Sequence, residues 1–216
     1  AGVGAFLRSQ RPGTTTAQLS RFLWTRGLWL VIVELTVMRL AMNFSVALSY
    51  PVLLLVLWAL GWSMIALAAL VHLPRRVLAI ASIAVIVLHN AFDGVQAAQF
   101  GAFSGLWNVL HQPGVFFLGG VAVVAGYPLV PWVAVMAAGF CAGPLLLRQP
   151  QERRRALLTW GTVLVVAFVV LRAINIYGDP QPWSAQSSPL LTAISFLRTT
   201  KYPPSLAFLL MTLGPA

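Results

Sequence analysis

The chain has 216 residues, of which 59% are hydrophobic and 8% charged, and fourteen basic against four acidic residues give it a net charge of +10. Soluble domains carry roughly a quarter charged residues, so this balance excludes a water-soluble globular protein and indicates an integral membrane protein. The positive charge does not signal nucleic acid, because no basic segment is interleaved with exposed aromatics.

In chain order, residues 1–7 read as the tail of a spanning helix. Residues 8–21 form a polar loop, where Arg11, Pro12, Gly13 and three threonines interrupt the apolar pattern. Residues 22–44 carry a helix outward, and a short turn through Ser49 and Tyr50 follows because Pro51 opens the next element. Residues 51–72 return inward. Their first twenty-one, up to Val71, hold no charge, enough to cross a hydrocarbon core of about 30 Å at about 1.5 Å per residue. Residues 77–95 go out again. The stretch from Gly94 to Leu147 lacks charge except at His111, and Pro113, Gly119, Gly120, Gly126, Pro128 and Pro131 break it. It is read as an outer amphipathic or re-entrant segment followed by an inward span over 128–147. Residues 156–176 go out, 177–202 form an outer loop, and Pro203 begins another inward helix. The expected fold is an all-α polytopic bundle of about five full spans with truncated terminal helices, a single domain over 1–216. With no initiator Met and a final apolar run too short to cross, the chain is expected to be a fragment of a longer one, so the lack of a visible signal peptide carries no meaning.

Ten of the fourteen basic residues lie in three connections: Arg8, Arg11, Arg21 and Arg26; Arg75 and Arg76; Arg148, Arg153, Arg154 and Arg155. The positive-inside rule makes those connections cytoplasmic, in a multi-pass protein expected in the plasma (inner) membrane. Against this background Glu34, Arg39, His89, Asp93 and Arg172 stand out, because an ionisable group among lipid tails is costly unless it faces a partner or a water-filled cavity. Thr36, Arg39 and Asn43 share a helix face, whereas Glu34 and Arg39 point roughly 140° apart. Each is therefore expected to meet a group on a different helix, a cation in the case of Glu34. Ser82, His89, Asp93 and Gln96 form a second polar stripe. His89 and Arg39 each lie thirteen residues from an inner arginine, or about 20 Å along an axis. An outward-opening polar cavity lined by both stripes accounts for that shared depth. Each feature has a bland reading too. Glu34 and Arg39 suit buried structural pairs that fix helix register, and His72 and His111 suit interfacial residues. Most of the eight tryptophans suit interfacial anchors. Cys141 is the sole cysteine and the histidines are scattered, so no metal is expected.

The stretches SRFLWTRGLWLVIVELTVMRLAMNF (20–44), HNAFDG (89–94), YPLVPWVAVMAAGFCAG (127–143) and TTKYPPSLAFLLMTLGPA (199–216) resemble the bacterial membrane proteins grouped with the catalytic domain of heparan-alpha-glucosaminide N-acetyltransferase. The resemblance implies a multi-pass acyltransferase-like protein that uses acetyl-CoA from the cytoplasmic side and passes the acetyl group, through a membrane-embedded histidine, to an amino sugar or related small-molecule or saccharide acceptor on the far side. The histidine usually credited with accepting acetyl would precede Ala1. His89 and Asn90 match a pattern of their own and are expected to support the site with Asp93, and Lys201 and Tyr202 match the terminal motif.

That chemistry needs a cationic mouth for phosphates, for which Arg26 and Arg21 are the candidates, and an outer pocket with a base for an ammonium acceptor. Glu34, Arg39, Asn43, Lys201 and Tyr202 are candidate structural or cavity-lining residues. An oligomer is compatible with the sequence. A different class, a transporter or flippase subunit using the buried charges as a solute or proton path, stays open, and the complete reading frame would discriminate.

Overall fold

The computed structural model describes residues 1–45, 47 and 50–215, so the turn expected at Ser49 lies outside the described residues. The chain divides into two compact units, residues 1–86 with 95–144, and residues 87–94 with 145–216.

The first unit opens with α1 (Gly2–Ser9) and α2 (Thr16–Val33). α2 starts six residues before the expected position because Thr15 and Gln18 form a reciprocal cap, the Thr15 hydroxyl accepting from the Gln18 amide and the Gln18 side chain accepting from Thr15 N–H. The helix continues through one π turn, Glu34–Met38, into α3 (Arg39–Asn43), which ends where Phe44 turns left-handed at φ 50°. β1 (Val52–Leu54) precedes α4 (Val56–Leu70), and α5 (Arg75–Leu88) follows.

α2 and α4 run antiparallel along a ladder of three contacts. At one end the Ser20 hydroxyl donates to Ala68 O at 2.7 Å, and at the other Glu34 meets Leu57. Between them the backbones touch: a Cβ on Gly27 would stand 2.5 Å from Gly61 O, and one on Gly61 2.6 Å from Gly27 O. Lipid tails are as apolar as leucine, so helices in a bilayer associate by close packing over small residues rather than by escape from water, and this crossing has that form. The core formed by Ala5, Leu19, Leu23, Leu67, Ala68, Leu78, Met136 and Ala137 sits toward the Ser20 end.

The segment expected to be an outer amphipathic or re-entrant element contains a short helix and a hairpin. A 3-10 stretch (Ala97–Phe103) leads into α6 (Ser104–Leu110), then β2 (Gly114–Leu118) and β3 (Val121–Ala125), joined by Gly119 and Gly120 at φ 57° and 83°. Positive φ at both central residues is what a two-residue hairpin turn demands. β3 pairs antiparallel with β2, Phe116 opposite Val123, and parallel with β1, Val52 opposite Val123. The strand order β1-β3-β2 makes a small sheet that the all-helical expectation lacked. α7 (Leu129–Ala142) follows.

The second unit contains a 3-10 turn, His89–Phe92, and α8 (Pro150–Ile174), whose first residue is a proline pre-set for a helix start and whose end is marked by Asn175 at φ 56°. α9 (Pro189–Leu197) and α10 (Leu206–Leu213) are capped by the hydroxyls of Ser188 and Ser205. The protein is mostly helical. Among the described residues, three helical segments are long and apolar enough to cross a membrane: Arg75–Phe92, Leu129–Leu147 and Pro150–Ile174. Of the other two expected spans, α4 has only 15 residues, and the path through α2 to α3 carries Arg21, Arg26, Glu34 and Arg39.

Candidate functional site

In the second unit the HNAFD turn and the TTKYPPSL segment come together. His89 is 3% exposed and its Nε2 lies 2.9 Å from Pro204 O. A carbonyl only accepts, so Nε2 carries the proton toward it. Asn90 bridges in two directions: its Nδ2 donates to Asp93 Oδ2 at 2.7 Å and its Oδ1 accepts from Leu206 N at 2.8 Å. A carboxylate on one side and a backbone N–H on the other fix which way the amide faces. α5 ends at Leu88 and the chain tightens into a 3-10 turn at His89–Phe92, so Asp93 lies beyond the helix; the Ser82 hydroxyl returns to Leu78 O within α5.

Sequence reasoning missed the residue that organises this cluster, Asp179. Its Oδ1 accepts from the Thr200 hydroxyl at 2.8 Å and from Gln181 N at 2.9 Å; its Oδ2 accepts from Thr200 N and the Ser205 hydroxyl, both at 2.8 Å. Ser205, with no exposure, also caps α10 by accepting from Phe208 N. The peptide Tyr202–Pro203 is cis. Lys201 and Tyr202 lie on the exposed side of this turn, the ammonium 5.1 Å from the Tyr202 ring centre. Tyr177 donates to Val87 O at 2.6 Å. Burial raises its phenol above the ordinary value, with Asp93 adding to the rise and a hydrogen bond from the Ala91 backbone opposing it. The signal that could have revealed Asp179 was a lone acidic residue in a Gly-Asp-Pro turn.

Arg172 was singled out from sequence, and the structure gives it a definite job. It is 3% exposed, and its guanidinium donates to the carbonyls of Phe196, Gln181, Ser195 and Arg198. Three of these are the orphan carbonyls at the end of α9, which a fork of rigid donors satisfies together with the helix dipole. The indole of Trp183 donates back to Arg172 O at 2.7 Å. A groove of about 720 Å³ opens beside this cage, lined by Trp183, Gln186, Ser188, Thr192 and Phe196. None of His89, Asn90 or Asp93 lines it.

The other candidates belong to the first unit. Glu34 is 3% exposed, and its partner is not a cation: Oε2 accepts from Leu57 N at 2.8 Å and Trp58 N at 3.2 Å, the orphan amides at the start of α4. Among the described residues, Arg39 hydrogen-bonds to no other helix. Its Nη2 donates to Ala47 O and Tyr50 O, in the connection that follows. Its Nε and the Asn43 Nδ2 are buried without a hydrogen-bond partner among the described residues. Arg21 and Arg26 are exposed, and Arg26 shares the Phe22 ring with Arg8, at 5.7 and 4.7 Å from its centre.

Neither a search of curated proteins nor one of solved structures finds a match to this chain. The family model described as "Heparan-alpha-glucosaminide N-acetyltransferase, catalytic" matches residues 1–182, which include HNAFDG, the YPLVPW turn and Asp179 but not the TTKYPPSL segment. The chain therefore belongs to the heparan-alpha-glucosaminide N-acetyltransferase catalytic-domain family.

Proposed function

We propose that the protein is a membrane-embedded acetyltransferase that takes the acetyl group from cytoplasmic acetyl-CoA and delivers it to an amino sugar or related acceptor on the outer side. The single observation that carries this reading is the family match over residues 1–182. Membership suggests acetyltransferase-like chemistry and a membrane setting. The donor, the acceptor, the five-span topology and the inner-membrane location are our extension of it.

Arg26 and Arg21 receive the donor phosphates. Both are exposed at the arginine-rich end of α2, where guanidinium forks match phosphate oxygens. His89, Asn90 and Asp93 support the outer site. An ammonium acceptor must lose a proton before its nitrogen attacks the thioester carbonyl, and the sulfur of CoA leaves as the acyl group moves. His89 Nε2 holds its proton against Pro204 O, which fixes the ring beside the terminal motif. Asn90 ties the terminal motif to its own turn and Asp179 holds the same motif through Thr200 and Ser205, which makes both positioning residues.

The test compares two variants of the full chain in reconstituted membranes. His89→Ala reduces turnover more than donor binding, and Arg26→Ala weakens donor binding first. Unchanged turnover in His89→Ala removes that residue from the site.

A further inference from the structure

Within residues 97–125 large apolar side chains face outward while two polar ones are buried. Phe103, Leu106, Val115, Phe117 and Leu118 are 57–72% exposed, whereas Asn108 and His111 are 6% and 4% exposed. Asn108 donates to Gln112 O, and the Gln112 side chain accepts from Ala97 N, so the polar groups face inward onto one another. An element with apolar residues outside and amides inside is matched to apolar surroundings, not to water.

The fold fixes its depth. β3 ends at Ala125 and the membrane-length segment begins at Leu129, four residues that reach at most about 14 Å. Tyr127 and Trp132, with ring centres 6.1 Å apart, stand at that junction, where amphipathic rings mark the boundary of a bilayer. β1 likewise ends just before α4. The hydrocarbon core itself is barred to the hairpin. β2 is an edge strand, and its outward N–H and C=O groups would go unsatisfied among lipid tails. Headgroup glycerol, phosphate and interfacial water can satisfy them.

We propose that residues 97–125 form an interfacial platform that lies on the lipid headgroup layer, with Phe117 and Leu118 pressed into the acyl boundary. It neither re-enters the core nor stands in solvent. Residues 94–147 carry no Lys, Arg, Asp or Glu, so the attachment is apolar and independent of lipid charge. The inference rests on the membrane part of the reading above and not on its chemistry.

The test is spin-label accessibility on the full chain in nanodiscs, in a Cys141→Ser background, with Phe117→Cys as the probe and Leu106→Cys as a second position in case the first does not fold. Ile80→Cys on the exposed face of α5 is the lipid control and Gln10→Cys the water control. At Phe117, collisions with a water-soluble nickel chelate fall several-fold below those at Gln10, oxygen collisions rise toward those at Ile80, and both are the same in phosphatidylcholine and phosphatidylglycerol. Nickel access equal to Gln10 overturns the platform, as does shielding from both reagents, which means protein covers it. A water-accessible Ile80 overturns the membrane reading itself; a lipid-buried Ile80 beside a wet Phe117 overturns the platform alone.

Discussion

The Glu34 carboxylate accepts the Leu57 amide at 2.8 Å and so closes the N-terminus of α4 from inside a neighbouring helix. An anion at the positive end of a helix dipole is stabilised without any cation, which explains how a buried acid is tolerated there. Glu34→Ala leaves two amides unsatisfied and costs about 1–3 kcal/mol, lowering the thermal midpoint in detergent. Glu34→Gln, whose oxygen still accepts, falls between. Equal midpoints for wild type and both variants would mean that the contact contributes nothing.

The Gly27–Gly61 crossing gives a steric prediction. Gly27→Ala or Gly61→Ala drives a methyl into a carbonyl oxygen at about 2.5 Å, and the backbones must part at a cost on the order of 1–3 kcal/mol. Gly4→Ala, with nothing within 4 Å of its added Cβ, is neutral or slightly stabilising. Folded yield by size-exclusion chromatography ranks the three, and a Gly27→Ala yield matching Gly4→Ala contradicts the crossing.

Arg172 tests whether one cation can organise a loop through carbonyls alone. Arg172→Lys keeps the charge but loses the fork that serves four acceptors, so it destabilises by roughly half or more of what Arg172→Ala costs, the latter on the order of 3 kcal/mol. The measurement is urea unfolding followed by Trp183 fluorescence. Full rescue by lysine means that only charge matters.

These residues also mark how far the sequence could be read. Three segments long and apolar enough to cross a membrane, and the seclusion of Glu34, His89 and Arg172 from solvent, were legible because hydropathy and isolated charges are local signals. The partners were not. Glu34 and Arg172 both look like halves of ion pairs, yet each is satisfied by helix-terminal backbone groups, which carry no residue identity. Asp179 was overlooked because its turn looks like an ordinary loop until Thr200 and Ser205 fold back on it. The hairpin had a signal, Gly119-Gly120 between two apolar runs, but membrane composition favoured a helical or re-entrant reading over strands.

The proposed orientation rests on the arginines. Single cysteines near Arg11, Arg75 and Arg153, on a Cys141-free background, stay unlabelled by an impermeant reagent in intact cells, whereas those in the connection containing Trp183 react. Labelling of the first set reverses the orientation.

The most direct test of the account is acceptor-dependent release of CoA. The full chain is reconstituted in sealed vesicles, acetyl-CoA is supplied on the face bearing Arg26, and free thiol is followed with an amino sugar on the opposite face. The account predicts that release accelerates when the amino sugar is present and that His89→Ala removes most of the acceleration while donor binding persists. Wild-type protein that binds no acetyl-CoA, or releases CoA at the same rate with and without the amino sugar, would contradict it.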